Sequence, residues 1–116
     1  MSASLIRCLL AVLALSETYD TVRSKDVAYL LGIKKPTAHR ALGVLNDRAL
    51  IQKAPYGDIS LTEEGARQAR ALERRRDDLI LLFSETHGLS PAERMKAALA
   101  LMSELEDESL NRLLQK

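Results

Sequence analysis

A single cysteine, no tryptophan, three tyrosines and one phenylalanine bound what this 116-residue chain can be. The lone Cys8 cannot form an internal disulfide, which fits a reducing, cytoplasmic setting. With aromatics at 3%, any core must be built from aliphatic side chains. Nucleophile elbows, paired zinc-binding histidines, phosphate-binding Gly-Lys loops and Cys-x-x-Cys pairs are all missing, so the sequence offers no constellation for an enzyme. The one acidic cluster, Glu104, Glu106, Asp107 and Glu108, reads as the solvated start of a helix. The longest apolar run, residues 5–15 (LIRCLLAVLAL), is too short to span a bilayer. Arg7 within that run raises the possibility of a signal peptide. No small-residue cleavage site follows, and the run is read as a buried first helix capped by Ser2 or Ser4, with residues 16–22 as a polar connection.

What is present is an aliphatic, helix-favouring composition, 47% apolar and rich in Leu, Ala, Glu and Arg. The length suits one domain, or one small domain with an appendage. Net charge is only +1 but unevenly spread. Residues 1–60 carry eight Lys/Arg against five Asp/Glu, while residues 79–116 carry four against six. The front of the chain is the part suited to phosphates.

The informative stretch is 24–50, SKDVAYLLGIKKPTAHRALGVLNDRAL. Ser24 is the expected N-cap of a short helix with Val27, Ala28, Leu30 and Leu31 on its apolar face. Gly32 supplies a left-handed C-cap. A second helix begins near Pro36, a residue tolerated in a first turn. Ala38, Ala41, Leu42 and Leu45 form its buried stripe, leaving Lys35, Thr37, His39, Arg40, Gly43 and Asn46 outside. A buried stripe opposite a cationic, hydrogen-bonding face is what a helix-turn-helix needs to enter a DNA groove. Two core helices of some other small domain would share the stripe but not need the cationic face. Over 34–53, Lys34, Lys35, Arg40, Arg48 and Lys53 face Asp47 alone.

Residues 51–61 (IQKAPYGDISL) read as a hairpin turning at Pro55-Tyr56-Gly57. A hairpin directly behind a recognition helix is a wing, and it brings Lys53 and Tyr56 towards a DNA backbone, though Tyr56 is equally an ordinary turn residue. Thr62 caps a long helix over 63–83, with Glu63 and Glu64 in its first turn. Its run Arg74-Arg75-Arg76 reads as a phosphate patch or as a solvated face in which Arg74 pairs with Asp78. His87-Gly88 ends the segment. Ser90, Pro91 and Glu93 form a capping box for the next helix, and a short helix over 106–114 closes the chain. The apolar residues of 79–114 look too few for a core of their own, so Leu79, Leu82, Phe83, Met95, Leu99, Met102, Leu110 and Leu113 are expected at a homodimer interface. The expected fold is mainly α with a small β-hairpin: a winged helix-turn-helix over 1–72 and a helical dimerisation region over 73–116.

In its order of elements the chain resembles the iron- and manganese-dependent repressors of the diphtheria-toxin-repressor type. The resemblance covers nearly the whole chain. It is most specific in VAYLLGIKKPTAHRALGVLNDRALI, where Pro36-Thr37 opens the recognition helix, and extends to LTEEG and LSPAERMKAALALMSELEDESLNRLL. The LTEEG exit alone is shared with winged helices of the multiple-antibiotic-resistance regulator type. The resemblance implies a transcriptional regulator, most readily a repressor, that binds double-stranded DNA as a homodimer. It puts Lys34, Lys35, Pro36, Thr37, His39 and Arg40 at the DNA, with Pro36 offering apolar contact to thymine methyls. It also implies a divalent metal, manganese or iron, but the family's ligand positions fall on Arg7, Leu10, Arg76, Leu99, Met102 and Ser103. Arginine has no acceptor and leucine no donor atom, so no metal is expected unless a shifted register recruits Cys8. Either Arg7 and Arg76 replace the cation by binding nearby carboxylates, or the protein answers to another signal or none. A metal-dependent repressor with a shifted site, a winged helix used for protein contact and a regulator of the multiple-antibiotic-resistance type are the alternatives.

Overall fold

A computed structural model describes residues 1–84 and 88–115. Six helices and one hairpin follow in the order α1 (Ala3–Thr18), α2 (Ser24–Leu31), α3 (Lys35–Asp47), β1 (Ile51–Lys53), β2 (Ile59–Leu61), α4 (Glu63–Ser84), α5 (Pro91–Glu104) and α6 (Asp107–Leu114). The chain is thus mainly α with a two-stranded antiparallel hairpin, in the winged helix-turn-helix arrangement.

α1 runs three residues beyond its expected end. The Ser16 and Thr18 hydroxyls donate to the Val12 and Ala14 carbonyls at 2.6 and 3.0 Å, turning what looked like a polar connection back onto the helix. Ser2, one of the two expected caps, accepts from the Leu5 N–H. At α2 the expected cap is displaced by one residue. Arg23 occupies the extended N-cap position and Ser24 lies inside the helix. The Asp26 carboxylate accepts the Arg23 N–H at 2.9 Å, so the capping group comes from within the first turn. Gly32 takes the left-handed conformation (φ 65°) that lets the chain turn sharply into α3.

Ile51 pairs with Leu61 and Lys53 with Ile59 across the hairpin. The Ile59 N–H donates to the Val22 carbonyl at 2.7 Å, so the segment before α2 lies along the outer edge of β2. Ile51 and Ile59 point inward and are buried, anchoring the hairpin on the helices.

Two apolar clusters account for the packing. The first joins Leu9, Val12 and Leu13 of α1 to Val27, Leu42, Leu45, Ile51, Ile59 and Ala69. The second joins Ile6 and Leu10, also of α1, to Leu79, Ala98, Leu99, Met102 and Leu110. This explains why residues 5–15 are apolar almost all round: α1 has a core on each side. It also corrects the expectation that the C-terminal helices lack a core. Leu79, Leu99, Met102 and Leu110 are each at most 6% exposed within one chain, so they are not surface for a partner. Of the residues expected at a dimer interface, Leu82 and Phe83 are half-buried, and Met95 and Leu113 remain exposed at 37% and 43%. Residue 72, the expected domain boundary, lies inside α4, and Leu72 packs against both clusters. The end expected for this segment at His87 lies outside the described residues.

Candidate nucleic-acid interface

α3 divides as its sequence requires. Ala38, Leu42 and Leu45 are at most 2% exposed and face the first core, while Lys35, Pro36, Thr37, His39 and Arg40 are exposed. Lys34 precedes them in the extended N-cap position, and the helix starts at Lys35, with Pro36 second. The residues at 35, 36, 39 and 40 share the protruding edge at the helix N-terminus, where unpaired backbone N–H groups and the helix dipole add to the cationic side chains.

The wing stands beside this edge. Lys53 Nζ lies 3.3 Å from His39 Nδ1, tying β1 to the exposed face of α3. Beyond Lys53 the turn is closed by two 2.8 Å backbone bonds, Ala54 N–H to the Asp58 carbonyl and Gly57 N–H to the Ala54 carbonyl. Tyr56 at its tip is 69% exposed. Arg23 Nε reaches Asp58 Oδ1 at 3.3 Å, fixing the base of the wing to the start of α2. No local pattern announces that pair, since its members are far apart in sequence.

Behind the wing, Thr62 donates through Oγ1 to the Ala49 carbonyl at 2.6 Å and accepts the Gly65 N–H at 2.9 Å, which makes it the expected cap of α4. Ala49 itself has a φ of 58°, a left-handed conformation unusual for alanine. Gly65 sits so close to the turn before the wing that a Cβ there would lie 1.7 Å from the Leu50 carbonyl oxygen. These contacts set where the wing leaves the helix pair.

The sequence did not point to Tyr29. It projects from α2 at 91% exposure, next to Lys25, and both line the same groove as Lys35. A helical position with an aromatic residue normally signals core, so its exposure had no signature.

Two arginines of the run on α4, Arg75 and Arg76, form ion pairs. Arg75 reaches Asp107 at 2.7 Å and Asn111 at 2.9 Å, pinning α6 to α4. Arg76 pairs with its neighbour Asp77 at 3.0 Å. The expected Arg74–Asp78 pair does not form; its place on the helix is bordered by Arg75's reach to α6. Near the start of α4, hydrogen bonds from Arg67 and then Gln68 hold the Glu64 carboxyl down at about 2.

The six positions onto which the resemblance places a manganese or iron ion do not fit one. Leu10, Leu99 and Met102 are buried together in the second apolar cluster. Arg7 is exposed, Arg76 is engaged with Asp77, and the Ser103 hydroxyl donates to the Ala100 carbonyl at 3.0 Å. Cys8 faces the first cluster, where burial pushes its thiol up and away from the thiolate a metal needs. Among the described residues no three His, Cys, Asp or Glu side chains gather. Also among them, no helix is long and apolar enough to cross a membrane.

These features define a winged helix-turn-helix with a helical C-terminal region packed on the same first helix. Solved structures with this fold include the manganese regulator SloR, 20% identical, with a TM-score of 0.81 over 98% of this chain and 54% of that one. They also include IdeR of T. acidophilum, 18% identical, TM-score 0.67, covering 97% of this chain and 52% of that one. A hypothetical protein of Sulfolobus solfataricus, SSo2273, is 16% identical with a TM-score of 0.71, over 97% and 86%. At these identities the likeness is one of fold, and the chain spans about half the length of SloR and IdeR. No protein-family model and no curated protein sequence matches it.

Proposed function

We propose that this protein is a DNA-binding transcriptional regulator, acting as a homodimer on a two-fold operator without a divalent metal at the six positions the sequence resemblance implies. The observation that carries the reading is the exposed edge of α3, Lys35, Pro36, Thr37, His39 and Arg40, opposite buried Ala38, Leu42 and Leu45 and flanked by Lys53 of the wing. Lys34, Lys35 and Arg40 neutralise phosphates; Thr37 and His39 bond base edges or phosphates; Pro36 meets thymine methyls; Tyr56 follows the backbone from the wing tip. Repression follows if the bound dimer covers a promoter. The exposed apolar side chains Leu81, Met95, Leu105 and Leu113 are available for the second copy.

Selection of bound sequences from a random duplex pool tests this. A palindrome with half-sites about one helical turn apart is expected. Affinity should fall steeply with salt, and Lys35→Ala or Arg40→Ala should reduce the log–log salt slope by about one each. A winged helix serving protein contact alone would retain no duplex even at low salt. Metal independence is tested by equilibrium dialysis with Mn²⁺, Fe²⁺ and Zn²⁺, where stoichiometric micromolar binding would overturn it. If Arg76 stands in for a cation, Arg76→Ala should weaken dimerisation or DNA binding.

A further inference from the structure

His39 lies one helical turn beyond Lys35 on the exposed face of α3, and Lys53 ends β1 beside it. Lys53 Nζ is 3.3 Å from His39 Nδ1. An ammonium group has three donors and no acceptor, so Nδ1 must supply the lone pair. A neutral imidazole carries one N–H, and in this pair that proton is on Nε2. The wing therefore occupies one ring nitrogen and leaves the other as a pure donor.

We infer that Lys53 fixes the tautomer of His39 and so makes it a specificity-determining donor that reads guanine. The inference rests on the DNA-binding reading above. In the major groove guanine presents two adjacent acceptors, N7 and O6, whereas cytosine presents only its N4 amino donor. Adenine and thymine each combine one acceptor with a donor or a methyl group and rank between them. The opposite tautomer, with Nδ1 protonated, would place a lone pair on Nε2 and reverse the order towards cytosine and adenine. Without Lys53 both tautomers are open and the position is read degenerately. A lysine acting only as a phosphate charge would behave differently: its loss would weaken all sequences alike.

The experiment compares the wild type with His39→Ala, Lys53→Met and Lys53→Arg, in mildly alkaline buffer where a free imidazole is neutral. Each is put through duplex-pool selection and then measured on the selected site with every base tried at each position. Both residues are exposed, and unchanged melting temperatures will show that the variants remain folded. One half-site position should favour guanine over cytosine by roughly tenfold in the wild type. His39→Ala should erase that preference and leave the other positions intact. Lys53→Met should reduce it to within about twofold, and Lys53→Arg, which again offers donors and no acceptor, should restore it. Duplex binding with a guanine preference that survives Lys53→Met, or with no position altered by His39→Ala, would overturn this inference alone. No duplex binding by the wild type at low salt would overturn the DNA reading and this inference with it.

Discussion

Replacing Gly65 by alanine would place a methyl group 1.7 Å from the Leu50 carbonyl oxygen and 2.6 Å from its carbon. Both are backbone atoms, so no rotamer change relieves the contact. To bring the nearer distance to 3.0 Å, α4 and the turn must part by about 1.3 Å. That movement strains two hydrogen bonds, Thr62 N–H to the Leu50 carbonyl at 3.1 Å and Thr62 Oγ1 to the Ala49 carbonyl at 2.6 Å, each worth about 1 kcal/mol net. It also disturbs Leu50, 3% exposed, at an overpacking cost of about 1–3 kcal/mol. Alanine's better helix propensity returns at most about 1 kcal/mol. The balance is a loss of roughly 3 kcal/mol. With an unfolding entropy near 2.1 cal/mol/K per residue, that lowers Tm by about 12 °C in a chain of 116 residues. Gly43→Ala is the internal control, because nothing beyond its chain neighbours and its own helix backbone lies within 4 Å of its would-be Cβ. That variant should gain up to about 1 kcal/mol and melt a few degrees higher. Thermal melts followed by circular dichroism, with urea midpoints at unchanged m-value, read both. A Gly65→Ala protein that melts with or above the wild type would refute the reasoning, since propensity alone would then govern the site.

Ala49→Gly should stabilise the protein by up to about 1 kcal/mol, read as a higher urea midpoint, because alanine at φ 58° bears a left-handed strain that outweighs the extra chain entropy of glycine. The Glu93 carboxyl is held below its ordinary range, first by the Ser90 N–H and then by the Ser90 hydroxyl. A depressed carboxyl stabilises the fold above its unfolded value near 4.5 and loses that contribution as pH falls through the folded value. The drop in Tm between neutral pH and about pH 3 should therefore be smaller in Glu93→Gln than in the wild type. Arg75→Met severs α6's links through Asp107 and Asn111. Amide exchange in α6 should rise by about tenfold while α2 and α3 keep their protection, corresponding to a local loss of about 1.4 kcal/mol.

α3 was legible because its information is local. Pro36, the 38–42–45 stripe and the cationic residues between them need no knowledge of the rest of the chain. The wing was legible for the same reason, through its Pro55-Tyr56-Gly57 turn. What lay out of reach was which surface covers which. The spacing of Leu79, Leu99, Met102 and Leu110 says that an apolar face exists, and it says the same whether a second copy or α1 covers it. The Arg23–Asp58 and Lys53–His39 contacts join residues with no periodic relation, and the left-handed turn at Ala49 is made by a residue type that does not advertise it. At Ser24 the missed signal was Asp26, whose carboxylate competes for the cap from the third position of the helix.

α1 enters both apolar clusters, and this has a consequence for folding and truncation. Ile6 and Leu10 project to one side and Leu9, Val12 and Leu13 to the other, so undocking the C-terminal helices exposes apolar surface on the same rod that supports α3. The 16 residues of that rod span about 24 Å. Unfolding should then proceed as a single cooperative transition, and a fragment ending at residue 72 should aggregate rather than fold as an independent unit. A displacement of α5 would therefore bear on α1, the same element on which α3 is packed.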